Sequence, residues 1–279
     1  MHWLALACLL EFGFAQLFKL AQQRGYSSPV ILSANYLTLA WTLAAFLLIN
    51  GAPTFTVTTI KVGVITGTAF ICSMSILTKA FQLISVAPVL TSLRMSIVVP
   101  VVVSAQVWGE TVRAGQVIGI SLALLGLLLM SCGEKPMSRS GASRALWIVP
   151  MVFCAQGISH SCLRWVHYSG LDNRLFEVLL VVGLTAGTLG TVVVLLQGHR
   201  PERIELLAGA GIGLYNLVAL VVILSALARV PATVFFPTLG CTVVVLDQLS
   251  AHLIWKEPLS RIARFGALLA LAAMFLVLR

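Results

Sequence analysis

Almost end to end, the chain is divided into apolar runs of about twenty residues, and this feature restricts its fold more than any other. A helix rising ~1.5 Å per residue needs ~20 apolar residues to cross ~30 Å of hydrocarbon. Inside hydrocarbon every backbone N–H and C=O needs a partner within the protein, which leaves helices or closed barrels. The runs lack the alternation of a barrel strand, so the expectation is an all-α integral membrane protein. Ten segments are read, at approximately 2–21, 30–49, 60–83, 87–107, 113–132, 145–167, 175–197, 205–228, 232–254 and 261–278. Gly, Pro and polar residues punctuate them, as at Gln22–Pro29, Asn50–Thr59 and Gly198–Glu205.

Composition agrees. Of 279 residues, 59% are hydrophobic and 10% charged, with mean hydropathy +1.02. A soluble domain carries roughly 25% charged residues, so this chain lacks the means to cover a water-facing surface. The net charge of +9 does not imply nucleic acid. Its Lys and Arg sit mainly in short connections, the habit of loops beside anionic headgroups, and no basic stripe exists. Cys8, Cys72, Cys132, Cys154, Cys162 and Cys241 lie in or beside apolar segments without CxxC or Cys/His spacing, and read as small packing residues. The first run has no basic leader and is as long as a full span, so it reads as a helix rather than a removable signal.

The two halves look alike. Trp3 opens a segment with Gly13 ten residues on; Trp147 opens another with Gly157 ten residues on, an offset of 144. Trp108-Gly109-Glu110, with Gly119 nine residues after Glu110, is matched by Trp255-Lys256-Glu257 with Gly266, an offset of 147, and Ala80 by Ala226. Correspondences in register argue for duplication. Because five is odd, the second copy enters from the opposite face, giving two inverted five-helix repeats. The expected boundaries are 1–133 for the first repeat, 134–144 for a linker and 145–279 for the second. Gly63/Gly67, Gly115/Gly119, Gly183/Gly187 and Gly209/Gly213 have the GxxxG spacing that lets helix backbones approach closely.

With these features the chain resembles the EamA-type drug/metabolite transporter superfamily, through Trp108-Gly109-Glu110 with Gly115 and Gly119, and Trp255-Lys256-Glu257 with Gly266. The likeness covers nearly the whole length. Leu10-Glu11-Phe12-Gly13 followed by Lys19 resembles the first helix of the small multidrug resistance branch, where a membrane glutamate takes protons and cationic substrates in turn. The second half departs from that pattern, because Ala155 stands at the position matching Glu11. The resemblance implies transport and leaves the substrate open among amino acids and other metabolites, sugar nucleotides, sugar phosphates and lipid-linked sugars.

An ionisable group at bilayer depth costs at least ~2.5–3.5 kcal/mol, so each asks for a reason. Glu11 lies roughly 13 Å into the first segment, and Arg94 roughly 10 Å into the fourth from the other face. The two thus reach similar depths, and a carboxylate with a guanidinium suits a zwitterion, the amine on Glu11 and the acid on Arg94. Glu11 is also the expected proton carrier. A structural ion pair is the competing reading. Tyr215 and Asn216, near the middle of the eighth segment, are further candidate substrate contacts, although an Asn also bonds neighbouring helices. His160 occupies the repeat position of Gln16 and is a candidate contact or polar glue. Asp247 has possible Lys or Arg partners from nearby loops. Trp41 reads as packing, and Glu110 and Glu257 as structural groups at segment ends.

The function expected is a proton-coupled secondary transporter, exporting a small polar or zwitterionic metabolite by alternating access, in the plasma or inner membrane. The alternatives are a flippase for a lipid-linked amphiphile, an intramembrane enzyme, or a non-transporting scaffold. No HExxH, GxSxG, paired-aspartate or GxxxxGK[ST] motif occurs, so neither enzymatic activity nor a cofactor or metal is expected. The expected partners are the bilayer, a small solute and protons, with the assembly a monomer or homodimer. Lys and Arg are more frequent on the face opposite the termini, which leans towards external termini, whereas the resemblance implies cytoplasmic ones.

Overall fold

The computed structural model describes residues 2–51, 53–83, 86–131, 139–253 and 261–278. Among these it forms eleven α-helices and no strand: α1 (His2–Gln23), α2 (Ser28–Asn50), α3 (Val57–Leu83), α4 (Val86–Met95), α5 (Val98–Val107), α6 (Ala114–Ser131), α7 (Arg139–Tyr168), α8 (Leu175–Leu196), α9 (Arg203–Leu227), α10 (Ala232–Leu253) and α11 (Arg261–Leu278). A short 3-10 turn, Asp172–Arg174, precedes α8. Among the described residues, five stretches are long and apolar enough to cross a bilayer: α1, α2, α3, Asp172–Leu196 and α9. Large apolar side chains such as Leu48, Ile49, Leu195 and Leu196 stand on the outside, as lipid rather than water would favour. Trp41, read above as packing, is 70% exposed and joins this outward set.

Two boundaries differ from the sequence reading. α7 begins at Arg139, so the expected linker 134–144 is helical over its second part. The fourth segment is two helices, because Pro100 has no N–H to offer the Ser96 carbonyl and its ring crowds that group. The chain turns at Ser96 and Ile97, and the Ser96 carbonyl takes the Val99 N–H at 3.0 Å instead. The Trp255-Lys256-Glu257 sequence, Cys132, Lys135 and Pro136 lie outside the described residues.

The chain forms two compact units, and they do not follow its halves. One comprises residues 1–75 and 162–228; the other comprises 76–161 and 229–279. Each therefore takes helices from both halves.

In the first unit, small residues set the distances between backbones. On α3, a Cβ added at Gly63 would lie 2.6 Å from Val181 Cβ, and one at Gly67 2.7 Å from the Val182 carbonyl oxygen of α8. On α9, a Cβ at Gly209 would lie 2.5 Å from Ala34 Cβ, and one at Gly213 2.5 Å from the Asn35 carbonyl oxygen of α2. In both cases residue numbers rise together along the two partners, so α3 runs parallel to α8, and α9 to α2. Between α2 and α8 they run oppositely: Gly183 meets Tyr36, Leu39 and Ala40, and Gly190 meets Ser33. Those two helices are antiparallel, and the Ser33 and Thr191 hydroxyls bond across them at 2.7 Å.

The entrance to α2 is held from another helix. The buried Glu205 carboxylate of α9 accepts the Ser27 N–H at 2.7 Å and the Glu202 N–H at 3.1 Å, and meets His199 Nε2 at 3.3 Å. Ser27, the residue before α2, makes no side-chain cap of its own, so Glu205 joins two helix starts. Bonds to a charged acceptor contribute about 1.5–3 kcal/mol. Glu205→Ala is expected to destabilise the purified protein by about 2–3 kcal/mol, read as a lowered Tm, and Glu205→Gln to recover part of that loss because its amide keeps one acceptor oxygen.

In the second unit, the turn between α4 and α5 sits against two glycines: a Cβ at Gly240 of α10 would lie 2.7 Å from Ile97 Cδ1, and one at Gly157 of α7 2.5 Å from Val99 Cβ. Ser92 donates to the Val149 carbonyl of α7 at 2.6 Å. The Trp108-Gly109-Glu110 sequence closes α5. Gly109 adopts φ 68°, a conformation that glycine accepts without penalty. The Glu110 N–H returns to the Ser104 carbonyl at 3.1 Å, and the Glu110 carboxylate accepts the Thr233 N–H in the first turn of α10 at 3.2 Å. An acid there satisfies a helix N-terminus, the structural role expected of Glu110.

Candidate functional site

In the first unit, Glu11 stands half-buried in the middle of α1, within an otherwise apolar stretch. Its charge lies close enough to act electrostatically on the phenols of Tyr36 in α2 and Tyr215 in α9. Tyr215 reaches α1 because Gly13 leaves room: a Cβ there would fall 2.0 Å from the Tyr215 hydroxyl oxygen. Tyr36 is 2% exposed, and its ring packs on Phe70 of α3 at a centroid distance of 6.3 Å. Helices α1, α2 and α9 thus place one carboxylate within electrostatic range of two phenols, with an α3 aromatic beside Tyr36. The carboxylate can receive an ammonium ion by charge-assisted hydrogen bonding and exchange a proton.

Asn216 is buried beside Tyr215, but its amide is directed to a neighbouring helix. Its Nδ2 donates to Asn35 Oδ1 of α2 at 3.2 Å, and both residues are buried. The interhelical role weighed for Asn216 is the one it occupies. The sequence reading passed over Asn35 and Tyr36, although an adjacent amide and phenol in mid-segment mirror Tyr215 and Asn216. That dipeptide was the available signal.

Arg94, His160 and Asp247 belong to the second unit. The carboxylate that meets Arg94 is Asp247, with Nη2 and Oδ2 2.5 Å apart and side-chain exposures of 15% and 30%. Asp247 thus meets a cation of the fourth segment. His160 packs on Phe236 of α10, ring centroids 5.5 Å apart, and feels the charge of Arg94. The buried Arg164, in the first unit, instead donates to the Leu227 carbonyl at the end of α9 and stacks over Tyr168 at 4.9 Å. Its charge complements a helix C-terminus.

No protein-family model matches the chain. It is 22% identical, over 99% of its own length and 97% of the other's, to an uncharacterized protein of Haemophilus influenzae (strain ATCC 51907 / DSM 11121 / KW20 / Rd). A crystal structure of a protein shares the fold, with TM-score 0.76 at 18% identity and 98% of each chain covered. Fold and composition together define an all-α protein with helices fit for a bilayer.

Proposed function

We propose that the chain is a ten-span secondary transporter made of two inverted five-helix repeats, of EamA-type architecture. It moves a small amine-bearing metabolite, such as an amine or amino acid, out of the cell in exchange for protons. The observation that carries the reading is Glu11, placed in an apolar helix within electrostatic range of Tyr36 and Tyr215 on two other helices. A carboxylate in that setting is costly unless it is used, and an ammonium ion and a proton compete for it directly.

Helix directions in the first unit support the inversion. Gly63/Gly67 and Gly209/Gly213 stand 146 residues apart, inside the 144–147 range of the other correspondences. Each pair packs on a helix from the other half, α8 for one and α2 for the other. Those two helices, the second segment and the seventh, occupy matching places in the two halves and run antiparallel. Two copies mounted upside down relative to each other produce this pattern.

The test is flux in proteoliposomes holding the purified protein, with an imposed pH gradient and a set of labelled amines and amino acids. Saturable, protein-dependent uptake accompanied by proton movement in the opposite direction is expected. Equal uptake with and without a pH gradient across the whole set would remove the exchange mechanism.

A further inference from the structure

The second unit carries an ion pair that the packing does not require. The Ile97 and Val99 side chains pack where a Cβ on Gly240 or Gly157 would stand, and Ser92 bonds to α7. The end of α4 is therefore held in place by contacts other than Arg94. The pair itself is a single contact from Nη2. A guanidinium offers five donors in a planar fork, and among the described residues Asp247 is the one acceptor that Arg94 meets. Replacing buried pairs of this type by apolar side chains is often neutral for stability, so stability alone is a weak reason for this one.

We propose that Arg94 and Asp247 form a self-occupied carboxylate site, in which Asp247 holds the place taken by the carboxylate of a small solute. Asp247 is the more exposed partner, 30% against 15%, so it is the arm that can leave while Arg94 stays. Arg94 occupies the last turn of α4, directly before the turn at Ser96 and Ile97, where the helical ladder is already interrupted and covered by protein. Within electrostatic range of it on α7 is His160, packed on Phe236 of α10. A solute carboxylate that takes the place of Asp247 would make the bidentate contact that Asp247 does not. Asp247 is then a specificity residue: as an attached competitor it raises the concentration a solute needs, and favours solutes that bond through both oxygens.

The experiment uses the full chain in detergent, with Tm followed as sodium acetate replaces sodium chloride at constant ionic strength. Asp247→Asn removes the internal competitor, so acetate should raise its Tm saturably, with an apparent affinity about tenfold or more above that of the unmodified protein. Arg94→Gln/Asp247→Asn removes both charges of the pair and should show no acetate response. If Asp247→Asn yields folded protein only when extracted in acetate, that rescue is itself the expected binding. An acetate response equal in Asp247→Asn and the unmodified protein, a response that survives in the double variant, or an Asp247→Asn protein that acetate fails to recover would each overturn the proposal. Glu11→Gln should leave the acetate response unchanged, so this result and that of the amine-flux test can fail separately.

Discussion

Replacing Glu11 with glutamine should abolish the pH dependence of flux and raise the solute concentration for half-maximal flux by about ten- to a hundredfold. The second figure follows from the bond. A hydrogen bond between ionised partners is worth about 1.5–3 kcal/mol, and each 1.4 kcal/mol is a factor of about ten in affinity. Glutamine keeps the shape and a carbonyl oxygen beside Tyr36 and Tyr215 but carries no charge and no exchangeable acidic proton. The first effect is therefore all-or-none, while the second is graded. Glu11→Asp keeps the charge on a shorter arm and should retain pH-dependent flux at reduced affinity. Folding should not suffer in Glu11→Gln, since an amide is less costly than a carboxylate among apolar helices. Tm measured beside flux separates loss of the carrier from loss of the protein. pH-dependent flux in Glu11→Gln equal to that of the unmodified protein would take the proton role away from this residue.

The second large effect concerns the glycines. Gly67→Leu and Gly213→Leu are each expected to destabilise the protein by about 3 kcal/mol or more, at the upper end for overpacked interiors. The atoms that an added Cβ would meet are backbone carbonyl oxygens, Val182 O at 2.7 Å and Asn35 O at 2.5 Å. A side-chain tip can rotate away; a carbonyl in a helix cannot, so α3 must separate from α8, and α9 from α2. Gly211 is the control, lying between Gly209 and Gly213 with nothing within 4 Å of an added Cβ. Gly211→Ala should be neutral or gain up to about 1 kcal/mol of helix propensity. Equal losses at Gly67 and Gly213 are what the proposed repeat predicts. A large loss at Gly211 as well would mean that glycine content rather than close approach governs stability.

The residues themselves show how far a sequence of this type can be read. Over their described residues the ten apolar segments are helical, the fourth in two pieces, because segment length, apolarity and the need for internal hydrogen bonds are local properties. The break at Ser96 was legible in principle, since Pro100 acts on the carbonyl four residues before it. A structural role for Glu110 followed from its place at a segment end, but its bond to the first turn of α10 required the fold. Tyr215 and Glu11 could each be singled out as polar groups in apolar runs, but the room Gly13 leaves for Tyr215 depends on α1 and α9 running side by side, which neither segment encodes alone. Asn216 was selected for the same reason as Tyr215, and only the position of Asn35 on α2 shows that its amide serves helix packing.

From its amino acids alone this chain declares itself helical and suited to lipid, and marks the few polar side chains that must find company inside it. Which helices keep company was decided by tertiary structure. Arg94 fell to Asp247, Glu205 to the start of α2, and the compact units drew on both halves of the chain. Hydrogen bonding along a helix is settled within four residues, whereas the partner of a buried charge depends on which faces of distant helices small residues allow to meet.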